Sequence, residues 1–186
     1  MRIVGGRMRG TRLAEVGAGD PAAHLRPTSD RVREAIFNLL INGGYGNPLA
    51  DARVLDLFAG TGALGLEAIS RGAAHATFVD DGNAARALLR RNIDITRTGD
   101  ATEIIRRDAT RLGPNRGVAF DVVFLDPPYG KELGEKALAA CVADGWLAPG
   151  ALVVWEEGAP PAAPQGFVLL DQRRYGETHV TILRGL

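Results

Sequence analysis

The stretch Val54-Leu55-Asp56-Leu57-Phe58-Ala59-Gly60-Thr61-Gly62-Ala63-Leu64-Gly65 joins a short apolar run to three glycines. The run is typical of a buried strand, and Gly60, Gly62 and Gly65 match the G-x-G-x-x-G pattern of a turn that opens a helix. Glycine permits the tight turn and lets a ligand approach the backbone amides there. Asp80 lies about 20 residues further on, at the end of the next predicted strand, where an acid binds ribose hydroxyls. The stretch therefore predicts a nucleoside-containing cofactor, either a dinucleotide or S-adenosylmethionine.

The rest of the chain repeats this pattern of a strand followed by a helix. Further strands are predicted at residues 76–80, 102–106, 121–125 and 151–156, and helices at 63–72, 83–95 and 133–144. Strands that alternate with helices of this length are typical of a parallel sheet covered on both faces. Two closing strands, at 167–172 and 179–183, are separated only by a turn, so we expect an antiparallel hairpin to complete the sheet. The predicted fold class is α/β.

Basic residues concentrate at the amino end of the chain. The whole chain has 22 basic and 22 acidic residues, but residues 1–33 hold seven arginines against three acids. Arginine binds phosphate through its planar fork, and a basic region speeds association with a polyanion. We interpret residues 1–26 as a basic arm or hairpin that contacts nucleic acid, followed by a domain over residues 27–186. A solvated tail has the same composition. After the arm, an amphipathic helix ending near residue 42 is predicted, with Thr28 or Ser29 as its cap.

The composition excludes several classes of protein. With 186 residues, 46% of them apolar, the chain is expected to bury one core as a single domain. Cys141 is the only cysteine and the three histidines lack ligand spacing, so we predict neither a disulfide nor a metal site. No stretch reaches the roughly 18 apolar residues of a membrane span, and no secretion signal is recognisable. We expect a cytoplasmic protein without membrane contact.

Asp126-Pro127-Pro128-Tyr129 directly follows the strand predicted at 121–125. This position is the carboxyl edge of the sheet, where open α/β sheets bind their ligands. An exocyclic amine of a nucleobase needs hydrogen-bond acceptors as it attacks a sulfonium methyl group, and Asp126 and the carbonyl of Pro127 supply them. The two prolines stiffen the turn, while Tyr129 offers a ring on which a flipped base can stack. The motif therefore favours S-adenosylmethionine as the cofactor and amine methylation as the reaction.

These motifs together resemble those of a known family. The glycine loop, Asp80 and the Asp-Pro-Pro-Tyr motif are similar to those of class I S-adenosylmethionine-dependent methyltransferases that modify base amines. Two further blocks, Arg2-Ile3-Val4-Gly5-Gly6 and Arg26-Pro27-Thr28-Ser29-Asp30-Arg31-Val32-Arg33-Glu34, resemble those of the bacterial 16S rRNA guanine-N2 methyltransferases. The resemblance runs nearly from end to end, and the amino-terminal blocks are its more specific part.

The resemblance implies a fold and a reaction. The fold would be a Rossmann-like, seven-stranded sheet, mostly parallel with a C-terminal antiparallel hairpin, and with a short N-terminal arm. The reaction would transfer a methyl group from S-adenosylmethionine to the exocyclic N2 of a guanine in 16S rRNA and release S-adenosylhomocysteine. The implied partner is 16S rRNA within a 30S subunit or an assembly intermediate, and the implied state is a monomer.

The family's roles transfer to this chain motif by motif. Cofactor binding is implied for Asp56, Phe58, Ala59, Gly60, Thr61, Gly62, Asp80 or the adjacent Asp81, Asp108, Ala109 and Asp126. Catalysis is implied for Asp126, Pro127, Pro128 and Tyr129. RNA contact is implied for Arg2, Arg7, Arg9, Arg26, Thr28, Asp30, Arg31 and Arg33. Asp30 is equally consistent with an acid that stabilises the first helical turn, and Arg33 with a solvated helix face.

Three alternatives stay open on the residues alone. A nicotinamide-dependent oxidoreductase would share the glycine loop and Asp80, but it gives no reason for the Asp-Pro-Pro-Tyr motif and would bind NADH rather than S-adenosylhomocysteine. A non-catalytic RNA-binding assembly module would keep the arginine-rich arm without methyl transfer. Among methyltransferases, an adenine-N6 enzyme acting on DNA shares the same motif.

Overall fold

The computed structural model describes residues 1–17 and 28–186, and its centre is a seven-stranded sheet. The strands are β1 (Arg53–Leu57), β2 (His75–Val79), β3 (Thr102–Ile105), β4 (Phe120–Leu125), β5 (Leu147–Glu157), β6 (Phe167–Tyr175) and β7 (Thr178–Gly185). Their order across the sheet is β3-β2-β1-β4-β5-β7-β6. Strands β1 to β5 run parallel, and β7 pairs antiparallel with both β5 and β6. The predicted α/β class and the closing antiparallel hairpin are confirmed.

Helices cover both faces of this sheet. They are α1 (Asp30–Asn42), α2 (Ala63–Ser70), α3 (Asn83–Thr96) and α4 (Leu133–Ala143), with a 3₁₀ turn at Gly99–Ala101. Alternate residues of each strand enter opposite apolar layers: Val54 packs with α1, α2 and α3, whereas Leu55 packs with α4. In the part of the chain that the structure describes, none of the helices combines the length and the apolar character needed to cross a bilayer.

The strand order reverses between β1 and β4. These strands are hydrogen-bonded neighbours, with Leu57 opposite Leu125, although β2 and β3 lie between them in the sequence. Ligands of open α/β sheets bind at such a reversal, outside the carboxyl ends of the strands. The glycine loop leaves the end of β1 and the Asp-Pro-Pro-Tyr motif leaves the end of β4, so the fold brings the two main motifs to one place.

Strand β5 begins four residues earlier than the 151–156 predicted from the sequence. Its early part contains Pro149 and Gly150, which normally break a strand. The structure accommodates them because the pairing with β4 shifts register between Phe120 and Val122, and Gly150 adopts a positive φ of +71°. A bulge therefore lengthens a strand that the composition interrupts.

The first seventeen residues fold back on themselves and pack into the domain. Arg2 and Arg12 form an antiparallel bridge, as expected of the predicted hairpin. Ile3, Met8 and Leu13 are buried in the same apolar layer as α1 and α2. The predicted arm thus shares its core with the rest of the chain over residues 1–17, and the predicted boundary after residue 26 lies outside the described residues.

The buried carboxylate of Glu67, in α2, holds this hairpin in place. Glu67 is fully buried, and it accepts hydrogen bonds from the backbone N–H groups of Val4 at 3.0 Å and Gly5 at 2.8 Å. It also pairs with the Nε atoms of Arg33 at 3.4 Å and Arg71 at 2.9 Å. Burying a carboxylate is costly unless it is paired and hydrogen-bonded, and all these partners meet that requirement.

The position of Arg33 corrects one expectation. We expected its side chain at the RNA surface or on a solvated helix face, but it is fully buried. Its guanidinium donates to the carbonyl oxygens of Thr28 and Arg2 and pairs with Asp30 and Glu67. Because every contact of Arg33 is internal, its role is to join the start of α1 to the hairpin and to α2.

We predict that Glu67→Ala destabilises the protein by about 3–5 kcal/mol, because it leaves a buried guanidinium and two N–H groups without their acceptor. Urea denaturation would measure this change against Glu34→Ala, which removes an exposed glutamate from α1 and should cost less than about 0.5 kcal/mol. A Glu67→Ala variant as stable as the control would contradict an anchoring role for the carboxylate.

Candidate active site

The glycine loop after β1 has the backbone geometry that its glycines permit. Gly60 and Gly62 have positive φ values of +56° and +78°, and Gly62 caps α2 in the left-handed conformation. Phe58 also has a positive φ, of +56°, which is strained for a bulky residue and is common at functional sites. The atom nearest to a Cβ added at Gly60 would be the carbonyl oxygen of Phe58, 4.0 Å away. The loop is therefore open on this side to an approaching ligand.

The side chain of Asp56, on β1, forms a hydrogen bond with the first turn of α2. Its carboxylate is 1% exposed and accepts the N–H of Gly65 at 3.0 Å. A Cβ added at Gly65 would overlap the ring of Phe78, so only glycine lets the helix approach this closely. Burial raises the pKa of Asp56 well above its ordinary value, the Gly65 hydrogen bond opposes this, and the charges of Asp126 and Asp80 add to the increase.

Asp80, rather than Asp81, is directed towards the glycine loop. Its carboxylate accepts the N–H of Gly60 at 3.0 Å and the N–H of Gly82 at 2.8 Å. Asp81 is exposed. The geometry therefore favours Asp80 for ribose binding.

Asp108 follows β3 and is exposed. Its carboxylate accepts the N–H and the hydroxyl of Thr110, at 2.8 Å and 2.7 Å, and these hydrogen bonds lower its pKa. The adjacent Ala109 is buried. Among the described residues, no hydrogen bond or ion pair joins the Asp108 side chain to the glycine loop, so its proposed role at the adenine stays a prediction.

The Asp-Pro-Pro-Tyr motif lies where the sequence predicted, directly after β4. Pro127 is buried, Asp126 is partly exposed and Tyr129 is 44% exposed. The phenol of Tyr129 lies 3.2 Å from the hydroxyl of Thr178, and its ring packs against Gly158. Burial raises the pKa of Tyr129 to about 12; the hydrogen bond with Thr178 acts to lower it, and the charges of nearby acids act to raise it. The phenol is therefore neutral, with part of its ring exposed.

Two acids and a hydroxyl that the sequence reasoning did not assign to catalysis lie beside Asp126. The Thr28 Oγ1 atom lies 2.8 Å from Glu156 Oε1 and 3.5 Å from Asp126 Oδ2. Glu157, the last residue of β5, accepts the N–H groups of Gly130 at 3.1 Å and Gly158 at 2.9 Å. Glu156 and Glu157 end the strand that neighbours β4, and this position in the sequence could have indicated that they lie near Asp126. The sequence analysis expected Thr28 to contact RNA. Of the two residues expected as the cap of α1, Thr28 and Ser29, it is Ser29 whose side chain accepts the N–H of Val32.

These surroundings shift the ionisation of Asp126. Burial raises the pKa of Asp126 to about 7; the Thr28 hydroxyl acts to lower it, and the charge of Glu157 raises it further. Burial, followed by the charge of Asp126, raises the pKa of Glu156 well above its ordinary value. Near neutral pH, Asp126 and Glu156 together therefore carry fewer than two negative charges.

The residues predicted to contact RNA differ in their exposure to solvent. Arg2, Arg7, Arg9 and Arg31 are exposed. Asp30 accepts the N–H of Arg2 at 3.2 Å; burial alone would raise its pKa, but this hydrogen bond and those from Arg33 lower it. Arg26 lies outside the described residues. The exposed members thus cluster on the hairpin and the start of α1.

Comparisons with known proteins agree with this geometry. Residues 1–184 match the family described as conserved hypothetical protein 95. The ribosomal RNA small subunit methyltransferase D of Escherichia coli K12 is 36% identical over 180 residues, which cover 95% of this chain and 86% of that protein. The chain belongs to this family. The family member of the same name from Haemophilus influenzae is 34% identical over 181 residues, covering 95% of this chain and 89% of that one.

A solved structure supports the same assignment. The Escherichia coli methyltransferase yhhF superposes with a TM-score of 0.81 at 34% identity, covering 100% of this chain and 97% of that one. This member of the family is therefore a methyltransferase. Neither the nicotinamide-dependent oxidoreductase nor the non-catalytic module is supported.

The residues present fit S-adenosylmethionine. The open side of the glycine loop leaves room for a ligand, and the Asp80 carboxylate beside it is an acceptor suited to ribose hydroxyls. The partly exposed Asp126 follows the strand next to the glycine loop, and its carboxylate form would offer negative charge to the sulfonium and ammonium groups of this cofactor. Within residues 1–17 and 28–186, no group of three or more His, Cys, Asp or Glu side chains is arranged to hold a metal ion.

We predict that Asp80→Ala weakens binding of S-adenosylhomocysteine at least about tenfold, because it removes hydrogen bonds of a charged acceptor to the ribose. The neighbouring substitution Asp81→Ala, at an exposed position with the same charge, serves as the matched control and should change the affinity less than about twofold. Isothermal titration calorimetry on both variants tests this. Equal losses would mean that either acid can bind the ribose, and a loss confined to Asp81→Ala would reverse the assignment.

Proposed function

We propose that the enzyme methylates the exocyclic N2 of a guanine in 16S rRNA. The observation that carries this proposal is the position of the Asp-Pro-Pro-Tyr motif, at the strand reversal and directly beside the glycine loop. Two relatives from the same family are named ribosomal RNA small subunit methyltransferase D, which supports this substrate class. Exposed arginines on the hairpin add a surface suited to RNA phosphates.

Asp126 and Pro127 would hold the reacting amine. The guanine N2 lone pair is delocalised into the ring, so its two protons need acceptors for the nitrogen to become nucleophilic. The carboxylate of Asp126 accepts one proton and the carbonyl of Pro127 accepts the other, since proline presents no competing N–H. The partly exposed ring of Tyr129 stacks against the base and fixes its plane.

The chemical step depends on positioning and on charge. S-adenosylmethionine, when bound, supplies a methyl group on a positively charged sulfur. As the amine nitrogen bonds to the methyl carbon, the carbon–sulfur bond would break and S-adenosylhomocysteine would leave with an uncharged sulfur. The nitrogen becomes positively charged, and Asp126 would stabilise that charge and then accept the extra proton, which passes to water. Holding the two reactants in line can lower the barrier by roughly 7–11 kcal/mol.

The ionisation of Asp126 gives the reaction a pH dependence. Only the carboxylate form carries the negative charge that stabilises the amine as it becomes positive, and burial raises the pKa of Asp126 to about 7. Activity is therefore expected to fall as the pH is lowered through this region and Asp126 becomes protonated.

The hairpin and α1 form the proposed RNA surface. Arg2 and Arg9 line an open hollow of about 240 Å³ between the hairpin and α1, together with Asp30 and Glu34. Arginine forks bind phosphate at such an edge, and the buried Glu67 cluster keeps the hairpin in a fixed orientation. Contacts of this kind position the substrate and do not read its bases.

We place the reaction on a 30S subunit or an assembly intermediate in the cytoplasm, with the enzyme acting as a monomer. A folded particle presents the target guanine together with phosphates that several separated arginines can contact at once. A short oligonucleotide offers few of these contacts and so should bind weakly.

We predict that labelled S-adenosylmethionine transfers its methyl group to 16S rRNA in 30S subunits from a strain that lacks the gene, and much less to a short hairpin with the same target. Mass spectrometry of the digested nucleosides should show N2-methylguanosine. Labelling of adenine N6 in DNA, or efficient turnover on the bare hairpin, would contradict the proposal.

We predict that Asp126→Ala lowers kcat at least about 100-fold, because the amine loses a charged acceptor, while affinity for S-adenosylhomocysteine changes little. The exposed Asp100→Ala, after α3, is the control for the loss of one negative charge. Methyl-transfer assays and calorimetry measure the two effects separately. An active Asp126→Ala variant would exclude Asp126 as the residue that orients the amine.

A further inference from the structure

A hydroxyl and two carboxyl groups from three distant parts of the chain meet behind the proposed amine site. Thr28 lies just before α1, Asp126 just after β4, and Glu156 near the end of β5. The Thr28 Oγ1 atom is 2.8 Å from Glu156 Oε1 and 3.5 Å from Asp126 Oδ2. The hydroxyl thus lies between the two acids, in contact with one and at the limit of a hydrogen bond to the other.

We infer that Thr28 and Glu156 are positioning residues for Asp126: Glu156, as an uncharged acid, donates to the Thr28 hydroxyl, which donates to the Asp126 carboxylate. This inference rests on the proposed function, because Asp126 is its acceptor for the guanine amine. The chain of donors would fix one carboxylate oxygen of Asp126 and leave the other for the substrate.

The hydrogen-bonding capacity of the groups supports this direction. A hydroxyl carries one donor and two acceptor lone pairs, so Thr28 can accept from one acid and donate to the other. If both acids were ionised, each would be an acceptor, and the single hydroxyl proton could satisfy only one of them. A protonated Glu156 supplies the missing proton.

Burial favours the uncharged form of Glu156. Glu156 is 3% exposed, and among the described residues its side chain has Thr28 as its hydrogen-bond partner. Burial and the charge of Asp126 both raise the pKa of Glu156, in accordance with the geometry. Arg33 is the nearby cation, but its guanidinium is engaged with Glu67 and Asp30.

Charged and titratable groups face this trio from each neighbouring element. Asp56, on β1, raises the pKa of Glu156, and Arg33, on α1, acts in the opposite direction. Glu157, on β5, raises the pKa of Asp126, whereas the Thr28 hydroxyl lowers it. Tyr129 stays neutral because burial raises its own pKa to about 12. Of these groups, only Thr28 favours the ionised form of Asp126 through a hydrogen bond.

The decisive variants are Thr28→Val and Thr28→Ser in the full chain, assayed on 30S subunits. Valine keeps the shape but removes the hydroxyl, so we expect kcat to fall about tenfold, as for loss of a hydrogen bond to a charged group. The acidic limb of the pH profile should also move to higher pH, because Asp126 loses a contact that stabilises its charge. Serine should restore both quantities towards the wild-type values, and the KM for S-adenosylmethionine should not change.

The control for hydroxyl removal is Thr102→Val, at the start of β3. Its hydroxyl donates to the carbonyl of Thr98 at 2.9 Å, away from the carboxyl edge of β4 and β5. Thr102→Val should leave the pH profile unaltered even if it lowers the melting temperature. The inference would be overturned if the acidic limb of the pH profile shifted in Thr102→Val, or if it did not shift in Thr28→Val.

The second pair of variants is Glu156→Gln and Glu156→Ala. A glutamine amide can donate to Thr28 as an uncharged acid does, so Glu156→Gln should recover most of the kcat that Glu156→Ala loses. If Glu156 acted as a charged base, both variants would be equally impaired, and the inference would fail. If Glu156→Ala does not fold, the Thr28 pair decides the question.

The wild-type enzyme separates the two proposals. Absence of N2-methylguanosine with wild-type enzyme on 30S subunits contradicts the proposed function itself. If the wild-type enzyme methylates the guanine and Thr28→Val has a normal rate and pH profile, only the positioning role is excluded. Titration with S-adenosylhomocysteine in each variant confirms that the cofactor site is intact.

Discussion

The buried carboxylate of Glu67 links the amino-terminal hairpin, α1 and α2 through one set of contacts. Two backbone N–H groups and two arginines surround it, so the cost of removing its charge from water is offset by bonds on every side. One of those arginines, Arg33, also donates to the carbonyl of Thr28. The hydroxyl of the same Thr28 reaches Glu156 and Asp126. A continuous path of polar contacts therefore joins the core of the helical layer to the catalytic edge.

That edge gathers carboxyl groups from four parallel strands. Asp56 comes from β1, Asp80 from the end of β2, Asp126 from the end of β4, and Glu156 and Glu157 from β5. Burial raises the pKa values of Asp56, Asp126 and Glu156, and the charges of neighbouring acids add to this effect. The arrangement suits a reaction in which positive charge moves from a sulfur to a nitrogen, since acidic groups that can stabilise such a charge lie at this edge.

Local signals in the sequence were sufficient for the fold and for the two main motifs. The apolar runs gave the strands, the glycines gave the loop at Gly60 to Gly65, and the position of Asp126 after a strand placed it at the carboxyl edge. Burial of Arg33 could not be read from α1, because its partner Glu67 lies 34 residues away. The contact between Thr28 and Glu156 spans 128 residues and depends on β5 lying beside β4. Strand β5 itself was shortened in the prediction because the bulge that tolerates Pro149 and Gly150 is a property of two strands together.

The hairpin is attached through its main chain and its buried apolar side chains, because Glu67 accepts the N–H groups of Val4 and Gly5 and the side chains of Ile3, Met8 and Leu13 lie in the core. Attachment of this kind does not depend on the outward side chains of the hairpin. Arg2, Arg7 and Arg9 can therefore change during evolution, or be exchanged by an engineer, without detaching the segment that carries them. The fold thus separates the attachment of this element from the charges that it displays, so the strength of phosphate binding can be altered while the catalytic framework stays intact.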